Sequence, residues 1–244
     1  MGQPLKIALI GYGKMGKAIE TVAIQQGHEV TLKISSSDLS GFTPEKLQGC
    51  DVAIEFTNPE SAPANIKTCI DAGIPVICGS TGWLKREAEI KDYCVSKNGA
   101  LLYASNFSVG VNIFFGINKL LAKLMSDQPA YKVLIEEIHH TQKKDAPSGT
   151  AISLAEQIIR ERTDKNQWTL GDATERELEI KSKREDPAPG THYVTYSSEV
   201  DEIAIIHTAR NRMGFANGAV LAAGFITGKK GIYTMADVLN LPGL

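Results

Sequence analysis

Apolar residues in the first hundred positions fall into short runs, separated by stretches in which they recur every three or four residues. The first run is 6–10 (KIALI); after a glycine-rich turn, Met15, Ala18, Ile19, Val22 and Ala23 follow at helical spacing until Gly27 ends the pattern. That sequence predicts strand, tight turn, helix. Further strands are predicted at 30–34, at 52–56 after a turn-rich insert, at 74–78 after a helix over 61–72, and at 100–103 after a helix over 84–96. Strands alternating with helices in this way predict an α/β domain with a doubly wound, Rossmann-like parallel sheet, whose ligands gather beyond the strand carboxyl ends.

The rhythm changes after Phe107. A helix-like stretch over 109–125 precedes a strand at 132–138, and a helix over 151–162 carries Ile152, Ala155, Ile158 and Ile159 on one face. Strands at 177–183, 192–197 and 202–209 follow, joined by turn-rich segments such as Asp186-Pro187-Ala188-Pro189-Gly190. This half predicts a second, α+β domain with a mixed sheet to one side. From Gly214 the chain becomes Ala- and Gly-rich, with helices predicted at 217–227 and near 235–239, and is expected to return to the first domain. The expected division is 1–106 with 213–244 against 107–212. No internal repeat or low-complexity tract is visible.

Composition narrows the partner. With 22% charged and 43% hydrophobic residues and a net charge of −2, the 244-residue chain shows no sign of a nucleic-acid surface or a polybasic membrane patch, so a small metabolite is expected. No apolar run approaches the ~20 residues that cross a bilayer. The opening residues run directly into a strand rather than a signal segment, and a cytoplasmic protein is expected. Cys50, Cys69, Cys78 and Cys94 lie at uneven intervals with no CxxC and no nearby His, which argues for buried free thiols and against a disulfide frame or a metal site.

Two segments carry chemistry. Gly11-Tyr12-Gly13-Lys14-Met15-Gly16 follows a strand and opens an amphipathic helix, the setting in which absent side chains let backbone amides approach a pyrophosphate. An acidic residue at the end of the second strand would favour NAD, but that region reads Lys33-Ile34-Ser35-Ser36-Ser37, a cation with hydroxyls that suits a 2′-phosphate. NADPH is therefore favoured over NADH, the alternative being that Asp38 reaches the ribose. Small polar loops also end the fourth and fifth strands, at 79–82 and 104–107.

The second segment, 139–151, places two imidazoles and two ammonium groups on a strand-to-helix loop. Asp145 or Ser148 can cap the helix, Pro147 is tolerated in its first turn, and Gly149 with Thr150 leaves amides and a hydroxyl for a carboxylate. Lys143 lies four residues after His139, a spacing at which the loop can bring them together as a proton-donating pair. His28, His192 and His207 lack such company and are expected to be surface or satisfied residues. Arg210 is expected to pair with carboxylates, and Arg212 is open between that and a ligand contact.

With Glu137-Ile138-His139-His140, Lys143 and Asp145-Ala146-Pro147-Ser148-Gly149-Thr150-Ala151 in view, the chain resembles the dihydrodipicolinate reductases, also called 4-hydroxy-tetrahydrodipicolinate reductases, of diaminopimelate and lysine biosynthesis. The likeness extends to the opening glycine loop, Gly79-Ser80-Thr81-Gly82, residues 104–110, Pro189-Gly190-Thr191-His192, and Arg212-Met213 with residues 215–219. The resemblance implies a dinucleotide-binding domain completed by the C-terminal segment, a substrate-binding and tetramerisation domain forming a homotetramer, and hinges near Phe107 and Arg212. It makes His139 and Lys143 the catalytic pair, with Lys143 the proton donor, and gives His140, Gly149 and Thr150 the carboxylates of a cyclic substrate. Cofactor contacts would come from Gly11, Tyr12, Gly13, Lys14, Met15 and Gly16, from Gly79, Ser80 and Thr81, and from Ala104, Ser105, Asn106 and Phe107, with Lys33 selecting NADP. The acidic residue that many relatives carry after the second strand is missing here. A rival reading is an amino-acid or aspartate-type dehydrogenase, against which the His139 loop argues. Another is a non-catalytic dinucleotide sensor, which would not need Lys143.

Overall fold

In the computed structural model, which describes residues 3–211 and 213–241, the chain forms two compact units. One comprises 3–109 with 213–241, the other 110–211. Arg212 lies outside the described residues.

The first unit begins with β1 (Lys6–Ile10), α1 (Lys14–Gln25), β2 (Glu29–Ile34), β3 (Val52–Glu55), α2 (Ala62–Asp71), β4 (Val76–Cys78), α3 (Glu87–Ser96) and β5 (Ala100–Tyr103). The chain then passes through α4 (Val109–Leu124), β6 (Lys132–His139), α5 (Gly149–Glu161), β7 (Gln167–Leu170), β8 (Glu177–Arg184), β9 (Thr191–Ser197) and β10 (Glu202–Thr208), and returns to the first unit as α6 (Met213–Ile226), β11 (Gly231–Tyr233) and α7 (Met235–Val238).

The first sheet is parallel throughout, in the order β11-β5-β4-β3-β1-β2. Its central strands are covered on both faces, which is why β1 reads as an unbroken apolar run: Ile7 and Leu9 join the layer with α1 and α6, while Ala8 and Ile10 join the layer with α2 and α3. Each large aliphatic side chain so buried contributes about 1.5–3 kcal/mol. All four cysteines are buried and free; Cys69 belongs to α2, Cys78 to β4 and Cys94 to α3.

The second sheet has the order β10-β9-β6-β8-β7, with β6 parallel to β8 and antiparallel to β9. Val133, Ile135, Glu137 and His139 all point to the buried face of β6, where Phe114 and Ala122 of α4 and Leu154 and Ile158 of α5 complete the core. An apolar stripe thus runs on into a carboxylate and an imidazole, and their neighbours decide what they do.

Several elements differ from expectation. Strands β7 and β11 are additional; both lie at sheet edges. The helix expected over 84–96 divides into a 3-10 turn at Leu84–Arg86 and α3, and α6 starts at Met213, one turn before 217. Of the two candidate caps for α5, Ser148 is the one used: its hydroxyl accepts the Ala151 amide at 3.2 Å. Among the described residues no helix is long and apolar enough to cross a membrane.

Candidate active site

The three glycines of the opening loop differ in what their missing side chains permit. Gly11 has φ +96°, and a Cβ there would stand 2.1 Å from the Phe56 carbonyl oxygen. At Gly16 a Cβ would stand 2.5 Å from the Gly11 oxygen, so the absent carbon lets α1 seat against the turn. Gly13 has nothing within 4 Å of that position, so its backbone is open to a ligand. The first turn of α1 holds no acidic residue, which leaves the positive end of the helix beside Lys14 uncompensated.

A cleft of about 400 Å³ opens there, lined by Gly13, Lys14 and Met15, by Gly79, Ser80 and Thr81, and by the turn at 56–59. The last was not foreseen. The Thr57 amide donates to the Ser80 hydroxyl at 2.7 Å and to Glu55 Oε1 at 3.1 Å, which ties the two strand-end loops together. A cradle with open glycine backbone, a free helix start and a lysine fits a dinucleotide phosphate.

The other expected cofactor residues lie outside this cleft's lining. Lys33 is ion-paired to Glu20 of α1 and sits 5.1 Å over the Tyr12 ring, and the Tyr12 hydroxyl donates to the same carboxylate. Its charge is therefore partly neutralised within the chain. Asp38 accepts from the Ser35 amide at 3.2 Å and from the Ser35 hydroxyl. Ala104 and Phe107 are buried, Phe107 packing its ring 5.6 Å from that of Phe56, so it supports the 56–59 turn from beneath. Asn106 accepts the Ser108 amide at 2.9 Å just before α4, and Ser105 is exposed.

In the second unit the loop after β6 gathers polar groups around a buried carboxylate. Glu137, fully buried, accepts the Ser148 amide at 3.1 Å on each oxygen, the Ser182 hydroxyl at 2.6 Å and the Arg184 guanidinium at 3.4 Å. His139 Nδ1 lies 3.5 Å from it, and the His139 and His192 rings meet edge to face at 5.1 Å. Lys143 donates to both oxygens of Asp145 at 2.8 Å, while its own carbonyl accepts from Arg184. His140 lines a separate hollow of about 360 Å³ with Gln142, Asn211 and the 186–189 turn. Gly149 is exposed at the start of α5 with open space at its Cβ position, and Thr150 is half-buried beside it. The first turn that bears them has no acidic residue of its own, and the N-cap amide before it, that of Ser148, is taken by Glu137.

Glu137, His139 and His192 place ligand atoms within 4.8 Å of one another, a spacing a metal ion can use. Ser148, Ser182 and the Arg184 cation already donate to the carboxylate, so the donor set is that of a hydrogen-bond network.

Comparison with known proteins bears on both units. The family model described as "Dihydrodipicolinate reductase, N-terminus" matches residues 5–107, and "Dihydrodipicolinate reductase, C-terminus" matches 110–239. The 4-hydroxy-tetrahydrodipicolinate reductase of Christiangramia forsetii is 48% identical over 240 residues, covering 97% of this chain and 98% of that protein. The chain belongs to the dihydrodipicolinate reductase family. An Anaeromyxobacter 4-hydroxy-tetrahydrodipicolinate reductase is 38% identical over 84% of this chain and 77% of its own length. The fold is shared with a dipicolinate-bound dihydrodipicolinate reductase from Paenisporosarcina, at a TM-score of 0.78 and 21% identity, covering 95% of this chain and 98% of that one. As a dihydrodipicolinate reductase the chain is an oxidoreductase of a dinucleotide-using family.

Within this family member, four residues of the polar cluster escaped sequence reasoning. Glu137 and His192 were visible as parts of motifs without a role, and Ser182 and Arg184 carried no signal, because strand register alone brings them to the carboxylate. His192, expected to be an isolated satisfied residue, shares the Ser148 hydroxyl at 3.1 Å and leaves Nδ1 buried without a partner. His28 is satisfied, accepting the Leu5 amide, whereas His207 Nδ1 is buried and unpartnered.

The cluster also sets the acid stability. Burial, with the nearby cations Lys143 and Arg184, lowers His139 from 6.5 to about 4, against an opposing pull from Glu137. Burial alone would raise Glu137, but the contacts from His192, Ser148 and Ser182 outweigh it and hold the carboxyl well below its usual range. Both groups bind protons less readily when folded. The His139 contribution is complete above pH 6.5 and lost as pH falls toward 4; that of Glu137 is present above its ordinary 4.5 and lost below it. Unfolding free energy from urea titrations is expected to fall by about 1–2 kcal/mol between about pH 7 and pH 5, and by less in His139→Gln. An unchanged pH profile in that variant would contradict the buried neutral imidazole.

Proposed function

We propose that the chain reduces dihydrodipicolinate, or its hydroxylated precursor, to tetrahydrodipicolinate in diaminopimelate and lysine biosynthesis. The observation that carries this reading is the loop at 139–151, which carries His139, His140 and Lys143 on one short segment leading into the start of α5, in a chain matched by the family along both units. The dicarboxylate-binding role draws support from the Paenisporosarcina relative, which binds dipicolinate, a ring with two carboxylates.

Gly13 and Lys14 at the head of α1, with the 79–81 loop, would hold the dinucleotide phosphates, and the dinucleotide when bound supplies the hydride. The chain does the rest. His140 and the Gly149 and Thr150 amides hold the substrate carboxylates, and Lys143 delivers a proton from Nζ to the ring as charge develops on it. His139 is neutral near pH 7, so it orients and accepts rather than donates. The outward stripe Ile113, Ile117, Leu120 and Leu124 on α4, and Ile206 on edge strand β10, support the homotetramer that the family resemblance implies.

The test is to condense pyruvate with aspartate semialdehyde enzymatically, add the protein, and follow nicotinamide absorbance with each cofactor. Oxidation dependent on both condensation substrates is expected, and none with either cofactor would refute the reading. We take NADPH as the preferred cofactor, with Lys33 facing the 2′-phosphate after exchanging its contact with Glu20. Lys33→Ala is then expected to weaken NADPH binding roughly tenfold in fluorescence titrations and leave NADH unchanged. An unaltered NADPH to NADH ratio would remove Lys33 from that role.

A further inference from the structure

Register places Ser182 of β8, Glu137 of β6 and His192 of β9 in one row across three adjacent strands, and alternation along β6 brings His139 onto the same face. Three chain segments thus converge on one carboxylate. The Ser148 amide, the Ser182 hydroxyl and the Arg184 guanidinium all donate to it, which keeps it ionised in a fully buried position. Its Oε2 lies 3.5 Å from His139 Nδ1 and 3.6 Å from His192 Nε2; the His192 nitrogen already meets the Ser148 hydroxyl, whereas His139 Nδ1 is buried without a hydrogen-bond partner, and Glu137 is the anion it faces. The opposite edge of the ring borders Gly190, where a Cβ would stand 3.0 Å from Nε2 and 3.2 Å from Cδ2. The imidazole is therefore gripped between an anion on one edge and a side-chain-free backbone on the other.

We infer that Glu137 is a positioning residue that sets the tautomer of His139, holding its proton on Nδ1 and leaving Nε2 as an acceptor on the edge beside Gly190. A neutral imidazole carries one N–H, and an adjacent anion selects the nitrogen that faces it. In the proposed reduction this separates the roles: Lys143 donates, and His139 offers a lone pair to the substrate or to the lysine. The catalytic consequence rests on the proposed function. The tautomer assignment does not.

Long-range ¹H–¹⁵N correlation spectra of the full chain labelled with ¹⁵N-histidine read the tautomer directly, with His139 assigned by the signals lost in His139→Asn. The wild type is expected to show a protonated Nδ1 and a lone-pair Nε2 near neutral pH. In Glu137→Gln the side-chain carbonyl is taken by the Ser148 and Ser182 donors, so the amide NH₂ faces the ring. His139 is then expected to switch to Nε2–H, with kcat falling at least about tenfold and the dinucleotide KM unchanged, as a misplaced imidazole proton does in other histidine-dependent enzymes. A merely structural carboxylate would change stability without moving the tautomer. A wild-type spectrum showing Nε2–H, or a folded Glu137→Gln protein with the original tautomer and kcat, would overturn the inference. The wild-type spectrum decides it even if the variant does not fold. A reductase-inactive protein with Nδ1–H would refute the proposed reaction and leave the tautomer assignment standing.

Discussion

Replacing Lys143 with alanine is expected to lower turnover by roughly 10²–10⁴-fold while dinucleotide affinity stays near that of the wild type. The first part follows from which groups carry a transferable proton. His139 is held neutral by burial down to about pH 4 and Arg184 does not release its proton in water; of the loop's two ammonium groups Lys144 is exposed, whereas Lys143 is half-buried and held by Asp145, so Lys143 is assigned as the donor. It is also the group the loop orients, bound to both Asp145 oxygens at 2.8 Å. The second part follows from location: the candidate phosphate cleft is lined by residues 13–15, 56–59 and 79–81, all of the first unit, and Lys143 belongs to the second. Lys143→Arg restores charge without an acidic enough proton and is expected to leave turnover about as low as in the alanine variant. Steady-state kinetics with cofactor titrations decide the matter, and turnover within about threefold of wild type would end the assignment.

The largest effect on stability is expected at Gly218, in the middle of α6. A Cβ there would stand 1.7 Å from the Phe107 carbonyl oxygen and 2.7 Å from its carbon, both backbone atoms that no rotamer change can clear. Helix α6 would have to lift away from β3, β4 and β5, and with it Ala216, Ala219, Val220 and Ala223, all buried in the layer that also holds Ile19 and Val22 of α1. Gly218→Ala is expected to cost about 3 kcal/mol or more, read as a lower denaturant midpoint with a similar slope. Gly224 of the same helix has nothing within 4 Å of its Cβ position, so Gly224→Ala is expected to leave stability unchanged or raise it slightly through better helix propensity. Equal midpoints for the two variants would show that the helix does not approach Phe107 as closely as described.

What could be read from the residues alone divides along a physical line. Periodicity reports burial, so strands buried on both faces and helices with one apolar stripe were legible, and β1 through β5 were found nearly to the residue. Strand β7 (QWTL) is half-exposed at an edge, and β11 is three residues long behind two lysines, so neither had a buried face to announce it. The same line runs through the site. Residues 139–151 were found because their chemistry is dense in sequence, and the glycine loop because spacing alone encodes it. Glu20 and Tyr12 around Lys33, the 56–59 turn beside the 79–81 loop, and the row Ser182, Glu137, His192 all depend on which strands become neighbours. Local pattern says nothing of that.

The division of the first unit into two stretches of chain also governs how the molecule is made. Helix α6 supplies much of the apolar layer over α1, and β11 completes the sheet beside β5, yet both are translated after the whole of the second unit. On the ribosome the early β-α repeats must therefore wait with one face of their sheet bare while residues 110–211 emerge and can already collapse as a continuous segment. The half of the molecule synthesised first is thus the half that finishes folding last, and it is the nascent surface around Ile7, Leu9 and Ile19 that a chaperone would meet in the interval.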